Sequence, residues 1–192
     1  FWKDKNRVYA NGVALHKSQP ATFRALNHSY GCDDTHVYYD WHILEDANPR
    51  QFVVLDSVMG KDNTNLYVRD QRLSHNADAA TFRLFDNGED TDTYGKDGSH
   101  VFSIWYGAPN PVVEIAGADP ATFVPLDRHY AKDNRNVYYR DSDTKSVIKL
   151  EGADPSTFEV IPYMARTAWD AQDRHRQYCA GKSMEEAGSE PS

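Results

Sequence analysis

The chain has 192 residues, 40% of them hydrophobic, and a formal net charge of −8. Its 12 Tyr, 8 Phe and 4 Trp make it too aromatic for a disordered chain and rich enough for a packed core. The acidic balance argues against a nucleic-acid partner. No run of about 18 apolar residues is present to cross a membrane, so no transmembrane segment is expected.

In chain order, the first element is the hairpin KDKNRVYANG from Lys3. It recurs as YGCDDTHVYYDW from Tyr30, GKDNTNLYVRD from Gly60, YGKDGSHVFSI from Tyr94 and YAKDNRNVYYRD from Tyr130. The shared aspartate is Asp4, Asp33, Asp62, Asp97 and Asp133. Asp and Asn side chains bond nearby backbone N–H groups, so the polar run at each aspartate reads as a hairpin turn. The Val-Tyr-Tyr that follows favours β structure and reads as the second strand. ANG at 10–12 and AGK at 180–182 read as turns into a third, short strand.

Each unit then closes on a phenylalanine: Phe23, Phe52, Phe82, Phe123 and Phe158. AGADPATFVPL and EGADPSTFEVI, which begin 35 residues apart at Ala116 and Glu151, show this half best. Asp119 and Asp154 are placed to cap one helical turn, with Pro120 and Pro155 at its first position, and Asn48-Pro49 fits the same role. The phenylalanine on that turn is the expected core anchor. A unit of about 30 residues cannot bury enough surface alone, so stacking of neighbours must supply the core.

The expected fold is mainly β with short helical turns, five stacked hairpin-rich repeats and a partial sixth in a curved open array. The repeats run approximately 2–29, 30–58, 59–93, 94–129 and 130–162, with a partial unit at 163–182, all in one domain over 1–182. A helix within YMARTAWDAQD would close that end, and 183–192 would form a disordered tail.

These paired motifs resemble the bacterial DKNYY repeat family. DKNRVY at 4–9, DNRNVYY at 133–139 and the Phe motifs carry the resemblance, which covers roughly residues 2–182. It implies a β-rich repeat protein with no assigned catalytic residues. Members resemble secreted or envelope proteins, and some resemble immunity partners of antibacterial secretion-system toxins.

Places where repeats disagree point to binding loops. From the Phe to the next shared Asp the spacing is 10 residues, but 15 after Phe82 and after Phe158. From the Val or Leu to the Phe it is 15 or 16 in the first three repeats and 22 and 21 in the next two. The first insertion carries Asp86, Glu89, Asp90 and Asp92; the long hairpins carry Trp105, Tyr106, Asp141 and Asp143. Aromatic anchors with a charged rim suit an interface; the alternative reading is a solvated loop with Trp105 packed on its neighbour.

The eight His show neither HxH nor HExxH spacing. There is no GxSxG, no phosphate-cradling glycine loop and no Cys placed with a His, so no catalytic residue is assigned. DTDTYG at 90–95 and DSDTKS at 141–146 begin like calcium loops but lack the Gly and Glu an EF-hand needs. No metal or cofactor is expected. Cys32 and Cys179 are expected to be free thiols.

The chain opens FWKDKNRVYANG, without Met. A piece is therefore expected to precede it, as a removed signal peptide or an artificial cut, with preference for the first. The functional expectation is a non-enzymatic binding protein of the periplasm or cell envelope. In its concrete form it is an immunity protein that binds a cognate toxin 1:1 and plugs its active site, the toxin being a lipase or phospholipase. An envelope structural or glycan-binding module is the alternative.

Overall fold

The computed structural model describes residues 1–73, 76–85, 94–162 and 169–184. Its contacts divide the chain into two compact units, Phe1–Arg83 and Leu84–Ser192. The described residues form six small, open antiparallel sheets, the first of three strands and the others of four.

The second sheet serves as the template, with strands Arg24–Ala25, Tyr30–Cys32, Val37–Tyr39 and His42–Ile43. Tyr30 pairs with Tyr39 and Cys32 with Val37 across the aspartate turn, and Tyr39 pairs with His42 across the second turn. The central strand buries Val37 and Tyr38 and leaves Tyr39 half-buried. At the second turn of the first and sixth sheets, Asn11-Gly12 and Ala180-Gly181 have positive φ at both positions, as a two-residue hairpin turn demands.

After the third strand comes the single helical turn. The Phe23 N–H donates to Gln19 O (3.0 Å), Phe123 to Asp119 (2.9 Å) and Phe158 to Asp154 (3.0 Å). The Asp119 carboxylate accepts from Ala121 N and Thr122 Oγ1, and Asp154 from Ser156 N and Thr157 Oγ1. The capping role expected of both is therefore present.

Four of the recurrent aspartates, Asp33, Asp62, Asp133 and Asp173, do two jobs. Asp133 Oδ1 accepts from Arg135 N and Asn136 N (2.7 Å each), closing its own hairpin turn. Its Oδ2 accepts from Asp119 N (3.0 Å) on the preceding helical turn and from Tyr138 Oη (2.8 Å). Asp33 repeats the pattern with Gln19 and Tyr38, and Asp173 with Asp154 and Tyr178. Asp62 ties to Asn48 N at 2.9 Å, while Tyr67 turns instead to Glu45 O.

The lysine before the aspartate completes the frame from the other end of the helical turn. Lys3, Lys61 and Lys132 donate to carbonyls of Pro20 and Phe23, of Ala79, Ala80 and Phe82, and of Pro155 and Phe158. The second repeat has Cys32 there. Arg24, its cross-strand partner, reaches Pro49 O instead (3.3 Å).

Within each compact unit the core lies between consecutive sheets. One cluster joins Tyr30, Val37, Leu44 and Phe52 of the second repeat to Tyr67 of the third; another joins Tyr130, Val137, Leu150 and Phe158 of the fifth to Ala171 and Tyr178 of the sixth. The phenylalanine ring sits on the small residue of the following sheet. A Cβ on Gly60 would lie 2.4 Å from Phe52 Cζ, and one on Gly31 2.5 Å from Phe23 Cζ. The fifth and sixth sheets have Ala131 and Ala171 at this place.

Three expectations change. The two residues after each phenylalanine form a strand, such as Arg24–Ala25 or Val124–Pro125, that pairs with the next repeat's hairpin. The sixth sheet then has a full four strands, although its repeat lacks the phenylalanine half. Its strands Ala171–Gln172 and Lys182–Ser183 replace the end of the expected helix and the first residue of the expected tail; 163–168 and 185–192 lie outside the described residues. Both cysteines are free, Cys32 buried and Cys179 exposed.

Burial alone would raise the carboxyls of Asp33, Asp62, Asp133 and Asp173, but the N–H donors outweigh it and hold each below its ordinary value. In the unfolded chain they return to about 4. Their contribution to stability is complete above about pH 4 and is lost as pH falls through the depressed folded values. The thermal midpoint should stay flat from about pH 7 to 5 and drop steeply below about pH 4. Asp133→Asn, which cannot accept at Nδ2, should cost about 1–3 kcal/mol at pH 7 and flatten that acid limb. Gly60→Val should cost a similar amount, about 1–3 kcal/mol by denaturant melting, because Phe52 has no room to retreat without opening the core.

Candidate functional site

The longer hairpins of the fourth and fifth repeats are where the pattern breaks. Their strands are Val101–Ile104 with Val112–Glu114, and Val137–Asp141 with Ser146–Lys149, against three and two residues in the template. The extra length changes where side chains point. In the third sheet the residue after the central strand, Arg69, is exposed and starts the turn with φ 56°. In the fifth sheet the equivalent residue, Arg140, stays in the strand, paired with Val147, and is buried at 1% exposure.

Arg140 is directed into the space beside Trp105. Its guanidinium carbon lies 3.4 Å from the Trp105 ring centroid and 5.7 Å from that of Tyr94. Nε donates to Ser103 Oγ (2.8 Å) and Nη2 to the Ile104 carbonyl. Lys145, at the tip of the same hairpin with φ 54°, holds its ammonium 5.2 Å from the Trp105 ring. A planar, weakly hydrated guanidinium stacked on indole is favoured when both are withdrawn from water. Desolvation pushes the Tyr94 phenol well above its ordinary range, with Arg140 opposing and Asp127 adding to the shift. Tyr94 Oη and Trp105 Nε1 are buried without a hydrogen-bond partner among the described residues, a cost the packing must offset.

This corrects one sequence expectation. Trp105 is 1% exposed and is no surface anchor; it is the stacking platform for Arg140. Its neighbour Tyr106 is partly exposed on the Trp105–Pro111 loop, where Trp105 N donates to Pro111 O (2.7 Å). Asp141 and Asp143 sit on the other long hairpin; Asp141 Oδ1 accepts from Asp143 N and Thr144 N, and the Thr144 hydroxyl first, with these two N–H groups, holds its carboxyl low. The two hairpins are thus tied through Arg140, which brings together the repeats carrying Tyr106 and Asp141. Asp86, Glu89, Asp90 and Asp92 lie outside the described residues.

Sequence reasoning missed Arg140, whose signal was the extra hairpin length. It also missed Trp41, 44% exposed at the second turn of the second sheet. The signal there was a tryptophan where the first and sixth sheets have glycine. His36 and His100 hold turn positions beside Asp33 and Asp97, as expected, with ring nitrogens 3.9 and 3.3 Å from the carboxylates. Among the described residues no group of three His, Cys, Asp or Glu is placed to hold a metal.

The family model described as the DKNYY family matches residues 1–182. Neither a curated protein nor a solved structure matches the chain.

Arg140→Leu should lower stability by about 2 kcal/mol, since the stack is desolvated. Arg140→Lys should recover little of it, because an ammonium cannot stack flat or bond Ser103 and Ile104 in one plane. Urea titrations of both variants check this; equal stability of the lysine variant and wild type would show that charge alone matters.

Proposed function

The chain belongs to the DKNYY family, and from that premise we propose that it is a non-enzymatic binding protein, an immunity protein that inhibits a cognate antibacterial toxin. The observation that carries this reading is how the polar residues are spent. The aspartates, lysines and tyrosines that recur through the repeats bond backbone turns and one another, and they recur where a catalytic centre needs one unique constellation. What differs between repeats is hairpin length, concentrated around Trp105–Pro111 and Asp141–Ser146.

In this reading the long hairpins of the fourth and fifth repeats form the binding surface, with Tyr106 as aromatic contact and Asp141 and Asp143 as charged rim. Arg140 and Trp105 hold the two hairpins in fixed register, so that less ordering is required on association. The net charge of −8 favours a partner with a basic active-site mouth and speeds encounter through electrostatic steering. A secretion-system effector acting on phospholipid in the periplasm has that chemistry, and occlusion of its site 1:1 is the mechanism.

A pull-down with the tagged chain from an envelope fraction should retain one protein in equal amount, and that protein should kill cells lacking this chain. Changing Tyr106 to Ala and Asp86, Glu89, Asp90, Asp92, Asp141 and Asp143 to their amides together should weaken the complex by about a hundredfold or more. A stable complex with unchanged affinity in that variant would move the interface elsewhere; no retained protein would sink the inhibitor reading.

A further inference from the structure

The second turns of the first three sheets, all within Phe1–Arg83, are Asn11-Gly12, Asp40-Trp41 and Arg69-Asp70. They lie side by side: Asn11 Nδ2 reaches Asp40 Oδ1 (3.4 Å), and His42 Nδ1 is 3.8 Å from Asp70 Oδ2. Between the second and third of these hairpins runs an open groove of about 260 Å³, lined by His42, Ile43, Glu45, Asp46, Asp70 and Arg72. Next to the lining residue His42 stands the exposed Trp41, the two rings tilted 38° with centroids 5.3 Å apart.

We propose that this groove binds a neutral polyhydroxylated ligand, a single sugar ring of a glycan, with Trp41 as its stacking platform. The chemistry of the lining selects this class. Arg72 is already paired with Asp46 at 3.0 Å, and His42 Nδ1 lies 3.8 Å from Asp70 Oδ2. An anion would face Glu45, Asp46 and Asp70, and a cation would meet Arg72 at Asp46. An apolar partner would find only Ile43 and Trp41. Sugar hydroxyls donate and accept at once, so they can bond carboxylates, guanidinium and imidazole without breaking either pair. The weakly positive C–H face of a pyranose suits the electron-rich face of indole. The groove is smaller than pockets that enclose drug-sized ligands, so it takes one ring and binds weakly. The site belongs to the first unit and is independent of the toxin-binding reading.

The test is calorimetry and saturation-transfer NMR of the full chain with soluble hexasaccharides of β-1,4-linked N-acetylglucosamine, β-1,4-linked glucose and α-1,4-linked glucose. At least one should bind with a Kd of about 1 mM. Trp41→Ala should weaken it about tenfold, Arg72→Ala should weaken it too, and Trp2→Ala, which removes an exposed ring on the first sheet, should change nothing. Trp41 and Arg72 are both exposed, and the thermal midpoint of each variant reports whether it folds. Three results would overturn the proposal: no hexasaccharide bound at about 10 mM, binding indifferent to Trp41 and Arg72, or a hexa-arginine peptide held at Trp41 more tightly than any of the sugars.

Discussion

The carboxylate of the recurrent aspartate is the interaction on which the fold depends. One oxygen closes the hairpin turn that begins at it; the other holds the first N–H of the preceding helical turn. A hairpin and a helical turn that are 14 residues apart in the chain, or 19 at Asp173, are so fixed by a single side chain. Asp133 is 4% exposed and Asp62 1%, and a buried carboxylate must have its lone pairs filled. The tyrosine five residues on fills the last of them at Asp33, Asp133 and Asp173. An amide in the same place would present donors to donors, which explains why the aspartate recurs while the residues around it drift.

From that anchor the other fixed residues follow. The helical turn, held at its N–H end by the aspartate, is held at its carbonyl end by the lysine of its own repeat, or by Arg24 where Cys32 has replaced it. Held at both ends, the turn can aim its phenylalanine only one way, onto the glycine or alanine of the following sheet. The aromatic clusters between sheets are therefore a consequence of polar bonding at their edges. Hydrophobic burial supplies the driving force, but the carboxylate and ammonium determine the register in which it is realised.

Much of this was legible in the residues because the chemistry is local. Asp, Asn and Gly at turn positions, Val-Tyr-Tyr after them and Asp-Pro before Phe each announce a structure within four residues. The strands after each phenylalanine were not legible: Arg24–Ala25, Val53–Val54 and Glu159–Val160 share no composition, because what makes them strands is the neighbouring hairpin's backbone. The candidate site was half legible. Spacing located the long hairpins, but not that lengthening a strand by two residues turns Arg140 inward and gives Trp105 a cation to cover. Trp41 looked like one more aromatic in an aromatic chain; only its place at an exposed turn sets it apart.

The strand after each phenylalanine has a further consequence. The segment that repeats in the sequence and the sheet that forms in space are out of phase: each copy ends by giving the next sheet its first strand, its ring and its capped turn. A gene that grows by tandem duplication of such a segment therefore needs no newly evolved interface. Every inserted copy arrives carrying half of the junction at each end, and the junctions it meets are already of that kind. Lineages can then alter one hairpin freely, as the fourth and fifth have been altered here, while the seams that hold the array together are inherited intact.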